Sequence, residues 1–227
     1  MRLLILAAGE GTRLGVQTSK CLAGRRPLIF NSLDLAHLNE VNAITIVIGR
    51  HCDDVVNMVG TRYMGRDITY CYQDDRTGLI DAIRASGINE DFILSLGDEW
   101  MKGPRRLQRK GIAAAGVVFG ISAEIKKTYS VVADIIHTAN GSIEILRHAE
   151  EKPKDPEAGL IGTGYCYFSK AALEYLPEVT DGLLVSWLNL LAKDDGRVYL
   201  QRVSSRYLNV NTPEELKEYN DIFDNLG

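Results

Sequence analysis

Apolar residues in this chain come in short blocks, and the blocks alternate with stretches of helical spacing. Leu3-Leu4-Ile5-Leu6-Ala7-Ala8 is unbroken, and Ile44-Thr45-Ile46-Val47-Ile48-Gly49 is interrupted by a single threonine. Such runs predict strands buried on both faces of a parallel sheet. Residues 68–72 and 92–96 predict a third and a fourth strand. Pro27 can open a helix that carries Ile29, Leu33 and Ala36 on one face. Asp53 and Asp54 start a short helix through Val59, and another is expected over 79–86, stopped by Gly87. Strands alternating with helices imply right-handed crossovers and an α/β fold with a mostly parallel sheet.

Beyond residue 110 the pattern is less regular. Strands are predicted over 113–119, 131–136, 143–146 and 164–168, with Asn140-Gly141 as a hairpin signal. Helices are predicted over 169–176, ended by Pro177, and over 181–192. The last helix starts at Thr212-Pro213-Glu214-Glu215, a capping box with proline in its first turn. Leu216, Tyr219, Phe223 and Leu226 recur at helical spacing and should face the core. The basic run Lys102, Arg105, Arg106, Arg109, Lys110 reads as a solvated helix face. No linker composition interrupts the chain, so one domain over 1–227 is expected, with a first half to residue 110 and a second half over 111–227.

Ligands of parallel sheets collect at the carboxyl ends of the strands. The first strand runs directly into Gly9-Glu10-Gly11-Thr12-Arg13. Glycines there permit turns and close approaches, and such a loop can aim several N–H groups at one anion. Arg13 adds a planar cationic fork and Lys20 a point charge, both suited to phosphate. Leu14 stands where a dinucleotide fingerprint needs its third glycine, and the G-K-[ST] of a P-loop is missing. The stretch Leu6-Ala7-Ala8-Gly9-Glu10-Gly11-Thr12-Arg13 is therefore read as a cradle for a nucleoside triphosphate. Gln73 follows the third strand, and its amide can both donate to and accept from a base edge. Gly78, five residues on, would let the backbone approach that base. Asp98 follows the fourth strand and is a hard oxygen ligand suited to Mg²⁺. The glycine loop, Gln73 and Asp98 should meet along one rim.

Composition narrows the function classes. With 227 residues, 45% of them hydrophobic, the chain can bury a sizeable core. It carries 26 basic and 30 acidic residues, a net charge of −4, which leaves no electrostatic footprint for nucleic acid. Cys21, Cys52, Cys71 and Cys166 show neither CxxC nor zinc spacing, as expected of reduced thiols in a cytoplasmic protein. No apolar run is long enough to span a bilayer and no cleavage pattern is present, so neither membrane insertion nor a signal peptide is expected. His37, His51, His137 and His148 have no ligand spacing.

Leu6-Ala7-Ala8-Gly9-Glu10-Gly11-Thr12-Arg13-Leu14, followed by Ser19-Lys20-Cys21-Leu22, resembles the LAAGxGTRL…(P/S)K-x-L signature of the nucleotidyltransferases that make nucleotide sugars, such as the glucose-1-phosphate thymidylyltransferases. The resemblance implies a Rossmann-like sheet of the GT-A type with a mixed-strand lid in the second half that holds the acceptor. Leu96-Gly97-Asp98 resembles the LGD motif, whose Asp binds the catalytic metal, with Glu99 as a candidate assistant. Gln73 and Gly78 are similar to the family's base-reading pair. Glu150-Glu151-Lys152-Pro153 resembles the EEKP motif, which implies that Glu151 and Lys152 hold the sugar phosphate. Thr163-Gly164-Tyr165 resembles the TGxY strand that lines the sugar pocket. Tyr207-Leu208-Asn209-Val210-Asn211-Thr212-Pro213-Glu214-Glu215-Leu216 resembles W-x-D-x-G-T-P-E-D-L, the source of a second metal ligand. Alignment on Thr212-Pro213 selects Asn209 for that role, and the register of relatives with a shorter loop selects Asn211.

Three departures stand out. Ser130 replaces a glycine of the family's YGVV, the Arg that often precedes E-I-T-D is missing before Glu178-Val179-Thr180-Asp181, and the connection from Lys20 to Pro27 is short. The resemblance implies Mg²⁺-dependent transfer of a nucleotidyl group from a nucleoside triphosphate to a sugar 1-phosphate, with Arg13, Lys20 and Asp98 carrying the chemistry. Two other readings stand beside it: a cytidylyltransferase acting on a non-sugar phosphate or phosphonate such as phosphocholine, and a nucleotide-binding module without turnover. Base, acceptor and oligomeric state stay open.

Overall fold

A computed structural model describes residues 1–15, 18–73, 78–120, 128–139, 141–154, 159–194 and 198–224. The first apolar block forms β1 (Arg2–Leu6), which lies at the centre of the first half. It pairs in parallel with β2 (Ala43–Ile48) on one side and with β5 (Phe92–Leu96) on the other. β4 (Arg66–Tyr72) extends the parallel set beyond β2, with the two-residue β3 (Arg62–Tyr63) folded back on it. Helices α1 (Ile29–Leu38), α2 (Cys52–Val59) and α3 (Leu79–Ala85) make the crossovers. Ile29, Leu33 and Ala36 are buried, as their spacing requires.

The second half turns mixed. β10 (Gly159–Phe168) runs antiparallel to β5 and to β7 (Ala113–Gly120), with a register shift between Gly162 and Cys166. β11 (Val198–Arg202) lies parallel to β7, and the long hairpin of β8 (Tyr129–Thr138) and β9 (Gly141–Glu151) follows. The start of β10 also pairs with β8, so β10, β7, β11, β9 and β8 close into a ring. The expectation of a mostly parallel sheet thus describes the first half, and the full sheet among the described residues is mixed and ten-stranded. Helix α4 (Leu184–Asp194) places Trp187 in the core, stacked on Phe168 at 4.1 Å between ring centroids.

A two-stranded ribbon joins the halves: β6 (Glu99–Met101), just after Asp98, pairs antiparallel with β12 (Tyr207–Asn209). Helix α5 (Pro213–Asp224) follows, and its capping box forms with Glu215 N–H on Thr212 Oγ1 at 3.3 Å and Thr212 N–H on Glu215 Oε2 at 3.1 Å. Leu216, Tyr219 and Phe223 pack with Leu28 and Val210. Leu226 and Asn140 lie outside the described residues, but Thr138 sits opposite Gly141, as a hairpin there demands.

Several expectations needed revision. The 169–176 segment is a 3₁₀ stretch, Lys170–Glu178, with Pro177 inside it, because a proline lacks the N–H that an α-helix would use. The basic run is not a helix. Gly103, at φ 54°, and Pro104 break the periodicity, and the segment runs irregularly beside the turn after β11, with Arg105 N–H on Val203 O at 2.7 Å. The 143–146 strand extends over Gly141–Glu151, its polar, largely exposed residues having hidden its length.

Candidate active site at the ends of the central strands

Backbone hydrogen bonds bring the ends of β1, β2, β4 and β5 to one rim. Ala7 N–H donates to Val47 O at 2.8 Å, Gly97 N–H to Leu6 O at 2.9 Å, and Gln73 N–H to Ile48 O at 2.9 Å. Below the rim, Ser32 of α1 donates to Leu96 O at 2.8 Å and holds the strand that delivers Asp98. The glycine loop is held from behind: buried Ser19 contacts Ala7 O at 3.2 Å and Gly9 O at 3.3 Å, and Lys20 N–H donates to Gly9 O at 2.9 Å. Gly11 takes φ 69°, a left-handed conformation that glycine adopts at little cost. Gly9 needs no such freedom, because a Cβ there would only reach ordinary contact with Lys20 at 3.7 Å. Gly9 lines a cavity at this rim.

Two neighbouring cavities share Gly78, Leu79 and Leu96. The smaller, about 250 Å³, is lined by Leu6, Ala7, Ala8, Gly9, Lys20, Gln73 and Asp98. The larger, about 880 Å³, is lined by Arg13, Glu151, Lys152, Gly164, Asp181, Asn209 and Asn211. Glu10, Gly11, Thr12 and Thr163 line neither. Glu10 lies 3.7 Å from Arg50, and Thr163 is buried with its hydroxyl on Gly116 O at 3.0 Å. Gln73 is buried, its Nε2 donating to Gly78 O at 3.3 Å. Gly78 has φ 135° and packs on Gly182, where a Cβ would come to 3.1 Å. Residues 74–77 between them lie outside the described set.

Lys20 links the linings of the two cavities. Its ammonium forms an ion pair with Asp98 and donates to Asn211 Oδ1 at 2.7 Å. Val210 N–H donates to Asp98 O at 3.0 Å, which ties the C-terminal loop to the strand end. Asn211 Nδ2 donates to Asn209 Oδ1 at 2.8 Å, so Asn209 orients the amide whose oxygen accepts from Lys20. The two asparagines thus have different places: Asn211 shares the Lys20 ammonium with Asp98, and Asn209 stands behind Asn211.

Glu99, the residue after Asp98, opens β6 and also lines the larger cavity. It is buried, and its carboxyl accepts from Gly164 N–H at 2.9 and 3.0 Å and from the Tyr207 hydroxyl at 2.6 Å. These partners replace the expected role beside the metal. Burial, and next the charge of Asp98, push its pKa up to about 8. Burial also raises Glu151, with Lys152 Nζ 3.9 Å away acting in the opposite direction. Sequence reasoning missed Ser19 and Tyr207 as organisers of the site and singled out Glu99 only as an assistant to Asp98. It also gave Asp181 no role, although Asp181 lines the larger cavity and accepts from Leu183 N–H at 3.0 Å. The signal for Ser19 was its place just before Lys20 in the motif; for Glu99 and Tyr207 there was none, since their partners come from distant strands.

Among the described residues no cluster of three or more His, Cys, Asp or Glu is arranged to hold a metal, so Asp98 and the Asn211 amide are the protein oxygens that converge. That donor set fits Mg²⁺, which is usually held by one or two protein ligands together with substrate phosphates. A cation, the Lys20 ammonium, already sits between these two oxygens.

Fold and site together describe an α/β protein with a glycine loop, a lysine and an aspartate at the ends of its central strands. No protein-family model matches the chain. It is 26% identical over 183 residues to the UTP–glucose-1-phosphate uridylyltransferase AglF of Haloferax volcanii, covering 75% of this chain and 73% of that protein. It is 28% identical over 187 residues to the glucose-1-phosphate thymidylyltransferase of Streptomyces antibioticus, covering 77% of this chain and 51% of that one, so it spans about half of that relative's length. A crystal structure of UDP-glucose pyrophosphorylase complexed with UDP-glucose superposes with a TM-score of 0.84 at 17% identity, covering 100% of this chain and 99% of that one. The chain is thus similar in sequence to these sugar-phosphate nucleotidyltransferases and shares the fold of UDP-glucose pyrophosphorylase. Among the described residues no helix is long and apolar enough to cross a membrane.

Proposed function

We propose that the protein transfers a nucleotidyl group from a nucleoside triphosphate to a sugar 1-phosphate, releasing pyrophosphate and forming a nucleoside diphosphate sugar. The observation that carries this reading is Lys20, whose ammonium joins Asp98 of the smaller cavity to Asn211 of the larger. The smaller cavity takes the base between Gln73 and Gly78 and the phosphates over Gly9. The larger takes the acceptor, with Glu151 and Lys152 at its wall. An acceptor phosphate oxygen forms the new bond to the α-phosphorus as the bond to pyrophosphate breaks. The acceptor is already an anion, so no general base is required, and positioning and charge neutralisation remain for the protein to supply. Lys20 balances the charge of the α-phosphate and the acceptor, and Arg13 that of the departing pyrophosphate. Mg²⁺, held by Asp98 and Asn211, would supply charge neutralisation at the phosphates.

The relatives named above support the acceptor class by the activities in their names. Pyrophosphate release from the common nucleoside triphosphates, each with glucose 1-phosphate and N-acetylglucosamine 1-phosphate, tests the reading. Release with a sugar 1-phosphate is expected. Release with CTP and phosphocholine alone would move the acceptor outside sugars. Nucleotide binding without any release would make the chain a binding module.

A further inference from the structure

Glu99 has no part in the reaction just described, yet it is the point where three segments of the site are joined. It opens β6, directly after Asp98. Both of its carboxyl oxygens accept from the N–H of Gly164, which lines the acceptor cavity, at 2.9 and 3.0 Å. Oε1 also accepts from the Tyr207 hydroxyl at 2.6 Å. Tyr207 lies on β12, two residues before Asn209 and four before Asn211. In the ribbon, Asn209 sits opposite Glu99 itself.

The contact to Gly164 is close. A Cβ on Gly164 would come within 2.3 Å of Leu96 Cγ and 3.1 Å of Glu99 Oε1, so the backbone of β10 lies directly against the end of β5. No sheet pairing joins β6 to β10 among the described residues, and the Glu99 side chain provides that bond. Glu99 is only 3% exposed, so water does not compete for these bonds.

We propose that Glu99 is a positioning residue that fixes the separation between the metal edge of the site, Asp98 and Asn211, and the acceptor wall at Gly164. The assignment rests on the reading in the preceding section. Two links leave Glu99, and they serve different substrates. The link to Gly164 sets the acceptor wall. The link to Tyr207 sets the strand that leads into the asparagine loop. Breaking each should therefore disturb a different ligand, which a general loss of stability would not do.

The test compares the full chain with Glu99→Gln and Tyr207→Phe. The glutamine keeps the size but has one oxygen where the carboxylate has two, so it cannot accept from both Gly164 N–H and the Tyr207 hydroxyl. The phenylalanine removes one hydroxyl and leaves the Gly164 link intact. Steady-state kinetics give the acceptor and triphosphate KM, and Mn²⁺ titration in the presence of a non-hydrolysable triphosphate reads the metal without turnover. Glu99→Gln is expected to raise the acceptor KM by about tenfold or more, with the triphosphate KM within about twofold, as loss of a buried hydrogen bond would do. Tyr207→Phe is expected to weaken Mn²⁺ binding by about tenfold with the acceptor KM little changed, as outer-shell partners of a metal site do. Equal changes in both KM values, or variants that bind metal and acceptor like wild type, overturn the assignment. If Glu99→Gln does not fold, Tyr207→Phe decides by its metal titration alone. Wild type that binds neither Mn²⁺ nor triphosphate removes the site and this role together; wild type that binds while the variants bind equally well removes the role of Glu99 alone.

Discussion

Lys20 Nζ donates to Asn211 Oδ1 across 2.7 Å, joining the first loop of the chain to the last. The same ammonium pairs with Asp98, and the side chain is only 13% exposed. A lysine held between a carboxylate and an amide is well placed to meet a phosphate, and Asp98 and Asn211 would then be free to hold a divalent cation. Lys20→Ala and Asp98→Ala are each expected to lower kcat by at least about 10²-fold, the loss typical of a key electrostatic group. Lys20→Arg should not restore activity, because a planar fork does not replace a point charge between two ligands. Pyrophosphate release at saturating substrate is the measurement. Near wild-type turnover in either alanine variant would remove that residue from the chemistry.

The asparagines separate in the same assay when Mg²⁺ is varied. Asn211 shares the Lys20 ammonium with Asp98, and Asn209 holds the Asn211 amide by a 2.8 Å hydrogen bond. Asn211→Ala is expected to raise the Mg²⁺ concentration for half-maximal rate more than Asn209→Ala, whose effect should be that of an outer-shell partner, about tenfold. Asn211→Asp should lower the requirement, because a carboxylate binds Mg²⁺ more tightly than a neutral amide. The reverse order would make Asn209 the ligand.

The contrast between these two residues also marks how far the sequence could be read. The apolar blocks 44–49 and 92–96 announced their strands because burial on both faces leaves only one polar position in each, Thr45 and Ser95. The rim followed from the rule that places ligands at strand ends, so the glycine loop, Gln73 and Asp98 could be grouped in advance. The ribbon of β6 and β12 could not be read. Each strand is three residues long, too short for a period, and their pairing joins positions more than a hundred residues apart. Without that ribbon the choice between Asn209 and Asn211 stayed open, and Glu99 had no visible partner. Thr163 was misjudged for a related reason. The motif marks the strand, but the alternation of side chains along β10 turns the Thr163 hydroxyl toward Gly116 and leaves the Gly164 backbone facing the cavity.

Two glycines of the site should respond to alanine in opposite ways. At Gly78 the φ of 135° and a Cβ only 3.1 Å from the Gly182 backbone leave no unstrained place for a side chain. Gly78→Ala is expected to cost about 1–3 kcal/mol of stability. At Gly9 the new Cβ would reach only ordinary contact, 3.7 Å from Lys20, so stability should change by less than about 1 kcal/mol. The cavity lined by Gly9 is where the phosphates are proposed to lie, so Gly9→Ala should raise the triphosphate KM. Thermal melts with and without nucleotide separate the two effects. Gly9→Ala with an unchanged KM would remove the phosphates from that place.

The thiols offer a probe that needs no substrate. Burial pushes Cys21 and Cys166 up to about 12, and it raises Cys71 by a smaller amount. Only the thiolate attacks a disulfide reagent, and at pH 8 a thiol with a pKa near 12 is ionised in about one molecule in 10⁴. Cys52 and Cys71 are half-buried, whereas Cys21 and Cys166 are each at most 2% exposed. With excess aromatic disulfide at pH 8, native protein should therefore be labelled at Cys52 and Cys71, and at Cys21 and Cys166 only after unfolding. Below each thiol's pKa, the labelling rate should rise about tenfold per pH unit as the thiolate fraction grows. Peptide mapping by mass spectrometry assigns the sites. Cys21 stands beside Lys20 and lines the smaller cavity. Rapid native labelling of Cys21 would mean that the segment carrying Lys20 opens to solvent, which contradicts a loop held closed by Ser19 on Ala7 and Gly9.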